Sequence, residues 1–194
     1  MKTGENIVSD WLTQLGYKPK RFTKQEMRQD KKTPDFKVYD EQSLAFYCEE
    51  KTFTQSFGYD NTPADEIASG LDLESTKLNR LIERSRDAIK KFSDSNPNHV
   101  IPNMIAIVNH DETFFPDVIE ELFRGYALTS DGEKIDYFPK AGRKRISEEL
   151  HWVDAILVFQ HIEQPPEKYE KLFYKPESVD RFDALKILLD RCRK

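Results

Sequence analysis

The stretch from Thr33 to Phe53 constrains the fold more than any other part of the chain. Two apolar-aromatic runs, Phe36 to Tyr39 and Leu44 to Lys51, follow one another across the polar Asp40-Glu41-Gln42-Ser43, which is the pattern of a β-hairpin with a four-residue loop. Pro34 disfavours helical geometry at Thr33 and so favours an extended segment through Asp35. Because side chains alternate along a strand, Ala45, Tyr47, Glu49 and Lys51 are expected on one face, and Phe46, Cys48 and Glu50 on the other. Asp35 stands at the mouth of the first strand, so Asp35, Glu49 and Lys51 are predicted to meet at one end of the hairpin. Two carboxylates able to hold a hard divalent cation, with an ammonium beside them, suit the hydrolysis of a phosphodiester.

At these residues the sequence resembles the PD-(D/E)xK nuclease superfamily, the restriction-endonuclease-like phosphodiesterases. Pro34-Asp35 matches the first element and Glu49-Glu50-Lys51 the second, on the following strand. The resemblance extends to Glu5 in a first helix and to a helix after the motif, about the first half of the chain. It implies a nuclease using Mg²⁺ or Mn²⁺, with Asp35 and Glu49 as metal ligands, helped by the carbonyl of Glu50 and by Glu5. Lys51 would orient the attacking water or stabilise the charge that develops on phosphorus. A one-residue bulge would exchange the roles of Glu49 and Glu50. The family often adds a Gln, Arg or Lys from the helix after the motif; here Lys77, Arg80 and Arg84 are the candidates, since that helix carries no Gln.

A chain of 194 residues with 38% hydrophobic and 12% aromatic content is expected to form one domain over residues 1–194. Residues 1–92 carry the motif, and residues 93–194 complete the sheet and end in a helix. The expected fold class is α/β or α+β, a restriction-endonuclease-like core with a central mixed sheet of about four or five strands and helices on both faces. The formal net charge is −5, which opposes indiscriminate coating of nucleic acid. Charge is nonetheless unevenly spread. Between Lys18 and Lys37 eight basic residues face three acidic ones, so Lys20, Arg21, Lys24, Arg28, Lys31 and Lys32, joined by Lys77, Arg80 and Arg84, are the candidate contacts to nucleic acid, DNA before RNA. A second basic cluster is Lys140, Arg143, Lys144 and Arg145.

Periodicity lays out the remaining elements. Ile7, Val8, Trp11, Leu12 and Leu15 predict an amphipathic helix stopped by Gly16. Tyr17 to Phe22 reads as a short strand, and Thr23 to Thr33 as a polar linker. Thr52 to Glu74 reads as an irregular connection in which Phe57 and Tyr59 pack or stack. Ser75 opens a helix whose buried face runs through Leu78, Leu81, Ile82, Ser85, Ala88, Ile89 and Phe92, with Lys77, Arg80, Arg84, Lys90 and Lys91 on the opposite face. Met104 to Val108 and Trp152 to Phe159 are buried strands, Pro116 to Phe123 is a short helix, and Tyr126 to Phe138 is a hairpin turning at Asp131-Gly132. Ser178 is the expected cap of a final helix through Arg191.

Several function classes are excluded or disfavoured. The sequence contains no P-loop, dinucleotide-binding glycine fingerprint or nucleophile elbow. His99, His110, His151 and His161 have no zinc-binding spacing, and Cys48 and Cys192 form no disulfide framework. With no signal-peptide core and no apolar run of bilayer length, a cytoplasmic protein without a membrane partner is expected. A homodimer is a plausible assembly for duplex cleavage. Two other readings stay open: a catalytically inactive nuclease-fold module for nucleic-acid binding or assembly, and an unrelated α/β domain in which Glu-x-Lys is an ion pair on a strand face.

Overall fold

The computed structural model describes residues 3–28, 32–41, 43–53, 76–110, 116–124, 126–128, 131–136, 149–160 and 168–193. Several features expected from sequence lie outside them: Ser75, Lys31, the Phe57 and Tyr59 connection, the Lys140 to Arg145 cluster and His161. Helix α1 (Gly4–Gln14) starts with Thr3 as its N-cap and leads into strand β1 (Tyr17–Arg21). Gly16 makes that turn at φ 85°, a left-handed geometry that costs glycine little. Strands β2 (Phe36–Asp40) and β3 (Ser43–Phe53) form the hairpin, and helix α2 (Thr76–Ser95) crosses from β3 to β4 (Asn103–Asn109). Next come α3 (Pro116–Arg124) and the small hairpin β5 (Tyr126–Leu128) and β6 (Lys134–Asp136), with Gly132 in its turn. Strand β7 (Ala155–Gln160), strand β8 (Lys168–Tyr174) and helices α4 (Pro176–Arg181) and α5 (Asp183–Cys192) complete the chain.

Among the described residues, six strands make one mixed sheet in the order β1-β2-β3-β4-β7-β8, where about four or five were expected. The β3/β4 and β4/β7 pairs are parallel and the others antiparallel. Strand β8 is the addition. Its Lys-Tyr-Glu-Lys-Leu-Phe-Tyr sequence lacks clean apolar alternation because, among the described residues, it forms an edge paired on one side to β7. Strand β4 is buried along its whole length. Ile105 and Ile107 pack with α2 and α3, whereas Met104, Ala106 and Val108 pack with α1 and α5. The sheet thus has an apolar core and helices on both faces, which explains why its central strands read as continuous apolar runs.

The hairpin differs from expectation in two respects. Asp40 pairs directly with Ser43, leaving a two-residue connection in which Glu41 adopts φ 51°. In addition, Val38 pairs with Phe46 while Tyr39 pairs with Leu44, so Ala45 is bulged. The bulge puts Ala45 and Phe46 in the same core cluster on the α1 side, correcting the expected placement of Ala45 with Tyr47. It ends before the acidic residues: from Tyr47 to Phe53 the pairing with β4 is unbroken. Glu49 and Lys51 therefore share a face.

Ser178 is not the cap of one long helix. It lies inside α4, buried, with its hydroxyl donating to Asp154 Oδ1 at 2.7 Å, and extended Phe182 separates α4 from α5. Asp154 also accepts from the backbone N–H of Asn103 at 2.8 Å and contacts His99 Nε2 at 2.6 Å. The start of β4, the approach to β7 and the C-terminal helices are thus tied to one buried carboxylate. Asp154→Ala leaves three polar partners without their acceptor and is expected to cost about 3 kcal/mol, read as a fall in the urea midpoint. A loss below about 1 kcal/mol would show that the network carries little of the stability.

Candidate active site

The site forms where β2 begins beside the middle of β3. Phe36 pairs with Cys48, which sets Asp35 next to Glu49. The Asp35 N–H donates to Glu49 Oε2 at 3.1 Å, and Asp35 Oδ2 accepts from the Glu50 N–H at 2.7 Å. A strand residue sends its N–H and C=O toward the same neighbour, so the Glu50 carbonyl also lies on the Asp35 side. Glu49 has no solvent exposure. Its Oε1 is 2.7 Å from Lys51 Nζ and 2.5 Å from Lys91 Nζ.

Helix α2 closes the arrangement. Asp87 lies 3.0 Å from Lys51 Nζ, 2.8 Å from Lys32 Nζ and 3.8 Å from Lys91 Nζ, one carboxylate among three ammonium groups. Lys91 and Asp87 were not anticipated, and Lys91 was expected on the solvent face. It lies next to Phe92, at the border of the apolar stripe, and its i, i+4 spacing from Asp87 was the available signal. Of the helix residues expected at the site, Arg84 instead donates to the Thr52 carbonyl and lies over the Phe53 ring. Arg80 is exposed. The side chain of Lys77 is outside the described residues, as is that of Arg28.

Glu50 faces the other way. Its Oε1 accepts from the Thr52 hydroxyl at 2.5 Å, and both atoms lie against Gly4 at the start of α1, where a Cβ would collide with them. Only glycine lets the helix start come this close. Glu5 belongs to this side: its carboxylate pairs with Arg21, and its charge acts on Glu50. The structure thus brings together Asp35, Glu49 and Lys51, with Lys91, Asp87 and Lys32 added, while Glu5, Glu50 and Arg21 meet across the strand. Lys20 and Lys24 are exposed on β1 and in the following turn. Part of the expected linker is ordered there, since Thr23 and Glu26 cap a 3-10 turn reciprocally, and Glu26 pairs with Lys37.

Charge states follow from these contacts. Burial, reinforced by the nearby Asp35 charge, raises the Glu49 pKa from its ordinary value despite its two ammonium partners. Burial likewise raises Glu50, with Asp35, Glu5 and Glu49 adding to the effect against the Thr52 hydrogen bond. Burial opposes the charge on Lys51, but Glu49 and Asp87 outweigh it and lift the Lys51 pKa. Partial burial also works against ionised Asp87, yet Lys32, Lys51 and Lys91 hold its pKa down at about 2. Lys51 is therefore a firmly protonated donor at neutral pH.

Among the described residues, no group of three or more His, Cys, Asp or Glu side chains is arranged to hold a metal ion. The donor set on the Asp35 side is two carboxylates and a backbone carbonyl. This is hard-oxygen chemistry of the kind Mg²⁺ uses when it keeps several of its waters. A carboxylate whose pKa is raised by its burial and by a neighbouring carboxylate, as that of Glu49 is, is also one that added positive charge would relieve. The residues present thus fit a divalent cation. No helix among the described residues is long and apolar enough to cross a membrane. Compared with known proteins, the chain matches no family model, no curated protein and no solved structure.

The depressed pKa of Asp87 makes a stability prediction. An acid whose folded pKa is about 2, against 3.8 when unperturbed, contributes stability fully above the unperturbed value and loses it as pH falls toward the folded one. Asp87→Asn is expected to lower the denaturation midpoint at pH 6, with the gap to wild type closing between pH 4 and pH 2. A gap independent of pH would contradict the ion-pair assignment.

Proposed function

We propose that the chain is a metal-dependent nuclease that hydrolyses phosphodiester bonds, with DNA as its first candidate substrate. The observation that carries this reading is the convergence of Asp35, Glu49 and Lys51 on adjoining strands, with Glu49 fully buried. Three features support it further: a first helix, a hairpin bearing the acids, and a helix crossing from that hairpin to a parallel strand. This is the order the resemblance to the PD-(D/E)xK superfamily implies.

Asp35, Glu49 and the Glu50 carbonyl are the groups that would hold Mg²⁺ or Mn²⁺. When bound, the cation supplies charge neutralisation at the phosphate and an acidified water as nucleophile. The Glu50 N–H fixes the Asp35 carboxylate, leaving its other oxygen to act as a ligand. Protonated Lys51 donates to the oxygens that gain charge during in-line attack, rather than acting as a base. Lys91 has a second acceptor in Asp87 at 3.8 Å, so Glu49 can exchange an ammonium partner without leaving a lysine unpaired. That Glu49 Oε1 already contacts two ammonium groups also favours a second reading, a self-neutralised nuclease-fold module that binds nucleic acid without cutting it.

Incubation with linear, supercoiled, branched and single-stranded DNA, and with RNA, in Mg²⁺ or Mn²⁺ separates the two. Cleavage is expected to fall about a hundredfold or more in Asp35→Ala and Lys51→Ala, and to rise with pH as Glu49, protonated at low pH, ionises. If no substrate is cut, or if both variants cut like wild type, the nuclease assignment fails.

A further inference from the structure

The face of β3 that carries Glu49 and Lys51 continues outward across β2 and β1. Tyr17, Phe36 and Val38 are buried on the α1 side, so alternation turns Lys18, Lys20, Lys37 and Tyr39 to the side of Tyr47 and Glu49. Helix α2 packs on β3 and β4. Farther out, Lys18 and Lys20 are exposed, and Phe22, Lys37, Tyr39 and Tyr47 retain partial exposure. Phe22 follows Arg21, which pairs with Phe36, so its backbone stands beside Asp35. Its ring stacks on Tyr47, with centroids 6.1 Å and planes 22° apart. Lys37 Nζ is 5.0 Å from the Phe22 ring centre, and Lys20 Nζ is 4.9 Å from that of Tyr39.

Rings interleaved with ammonium groups, bordering the buried Glu49 and the half-buried Asp35, match one partner chemistry best. Unpaired nucleotides offer bases that stack on aromatic faces and phosphates that pair with lysines. A duplex keeps its bases stacked internally and gives such rings nothing to face. An added protein strand is opposed at the β1 edge by Pro19 and its neighbouring lysines. We propose that this face binds an unpaired nucleic-acid strand, its bases on Phe22 and Tyr39 and its phosphates on Lys18 and Lys20. The inference rests on the nuclease reading only in placing the scissile phosphate beside the bound strand; the binding itself needs neither metal nor cleavage.

Anisotropy in EDTA, using one labelled mixed-sequence oligonucleotide as single-stranded DNA, single-stranded RNA and duplex, tests it. Phe22→Leu and Tyr39→Leu keep apolar bulk but remove the ring, and each is expected to weaken single-strand binding roughly tenfold while duplex binding stays within about twofold. Lys20→Gln is expected to reduce the salt dependence of single-strand binding by about one phosphate contact. The DNA and RNA arms identify the sugar. In the unaltered chain, NMR signals of the Phe22 and Tyr39 ring protons are expected to shift on addition of the single strand, a readout that does not depend on how the variants fold. Wild-type affinity in both leucine variants, equal losses for duplex and single strand, or unmoved ring signals would overturn the proposal. Cleavage with unchanged variant binding removes this surface and keeps the nuclease; ring-dependent binding without cleavage does the reverse.

Discussion

A carboxylate with no access to water is the interaction on which the candidate site depends. Glu49 sits within the sheet at zero exposure, with two ammonium groups at Oε1 and a backbone N–H at Oε2. An isolated buried charge of this kind is strongly unfavourable, and burial without partners would simply keep it protonated. Lys51 and Lys91 make the charged form accessible, Asp35 pushes against it, and Asp87 holds both lysines on the far side. The site is therefore a balanced cluster in which each charge is placed by another, and moving one requires a rearrangement of the rest.

The fold supplies that cluster at low cost because its members lie on rigid elements. Unbroken pairing of β3 with β4 fixes the face of Glu49 and Lys51, and the apolar packing of α2 on β4 fixes Asp87 and Lys91 above them. The bulge at Ala45 adjusts the hairpin before the acidic residues and so leaves their register intact. On the opposite face, Glu50, Thr52 and the glycine start of α1 form a separate polar contact. One strand thus presents different polar chemistry on its two sides without a break in the sheet.

Much of this was legible in the sequence, for identifiable reasons. Strand alternation alone put Glu49 and Lys51 on one face, and the short hairpin put Asp35 beside them. The periodicity of α2 gave its buried stripe from Leu81 to Phe92. What was not legible depended on contacts distant in sequence or on borders of a pattern. Lys91 flanks the apolar stripe and turns inward because a buried carboxylate attracts it, which a helical pattern cannot show. Asp154 meets His99, Asn103 and Ser178 through tertiary packing across as many as 55 residues, so Ser178 read as a helix cap. Strand β8 escaped because an edge strand carries lysines where an internal strand carries apolar residues.

The most direct test of this account is calorimetric titration of Mg²⁺ or Mn²⁺ into the protein, run in buffers of different ionisation enthalpy, with Asp35→Asn and Glu49→Gln alongside wild type. The account predicts binding that releases protons below the raised pKa of Glu49 and is lost in both variants. No binding by wild type, or binding that neither substitution weakens, would contradict it and leave Glu49 as a purely structural charge between Lys51 and Lys91.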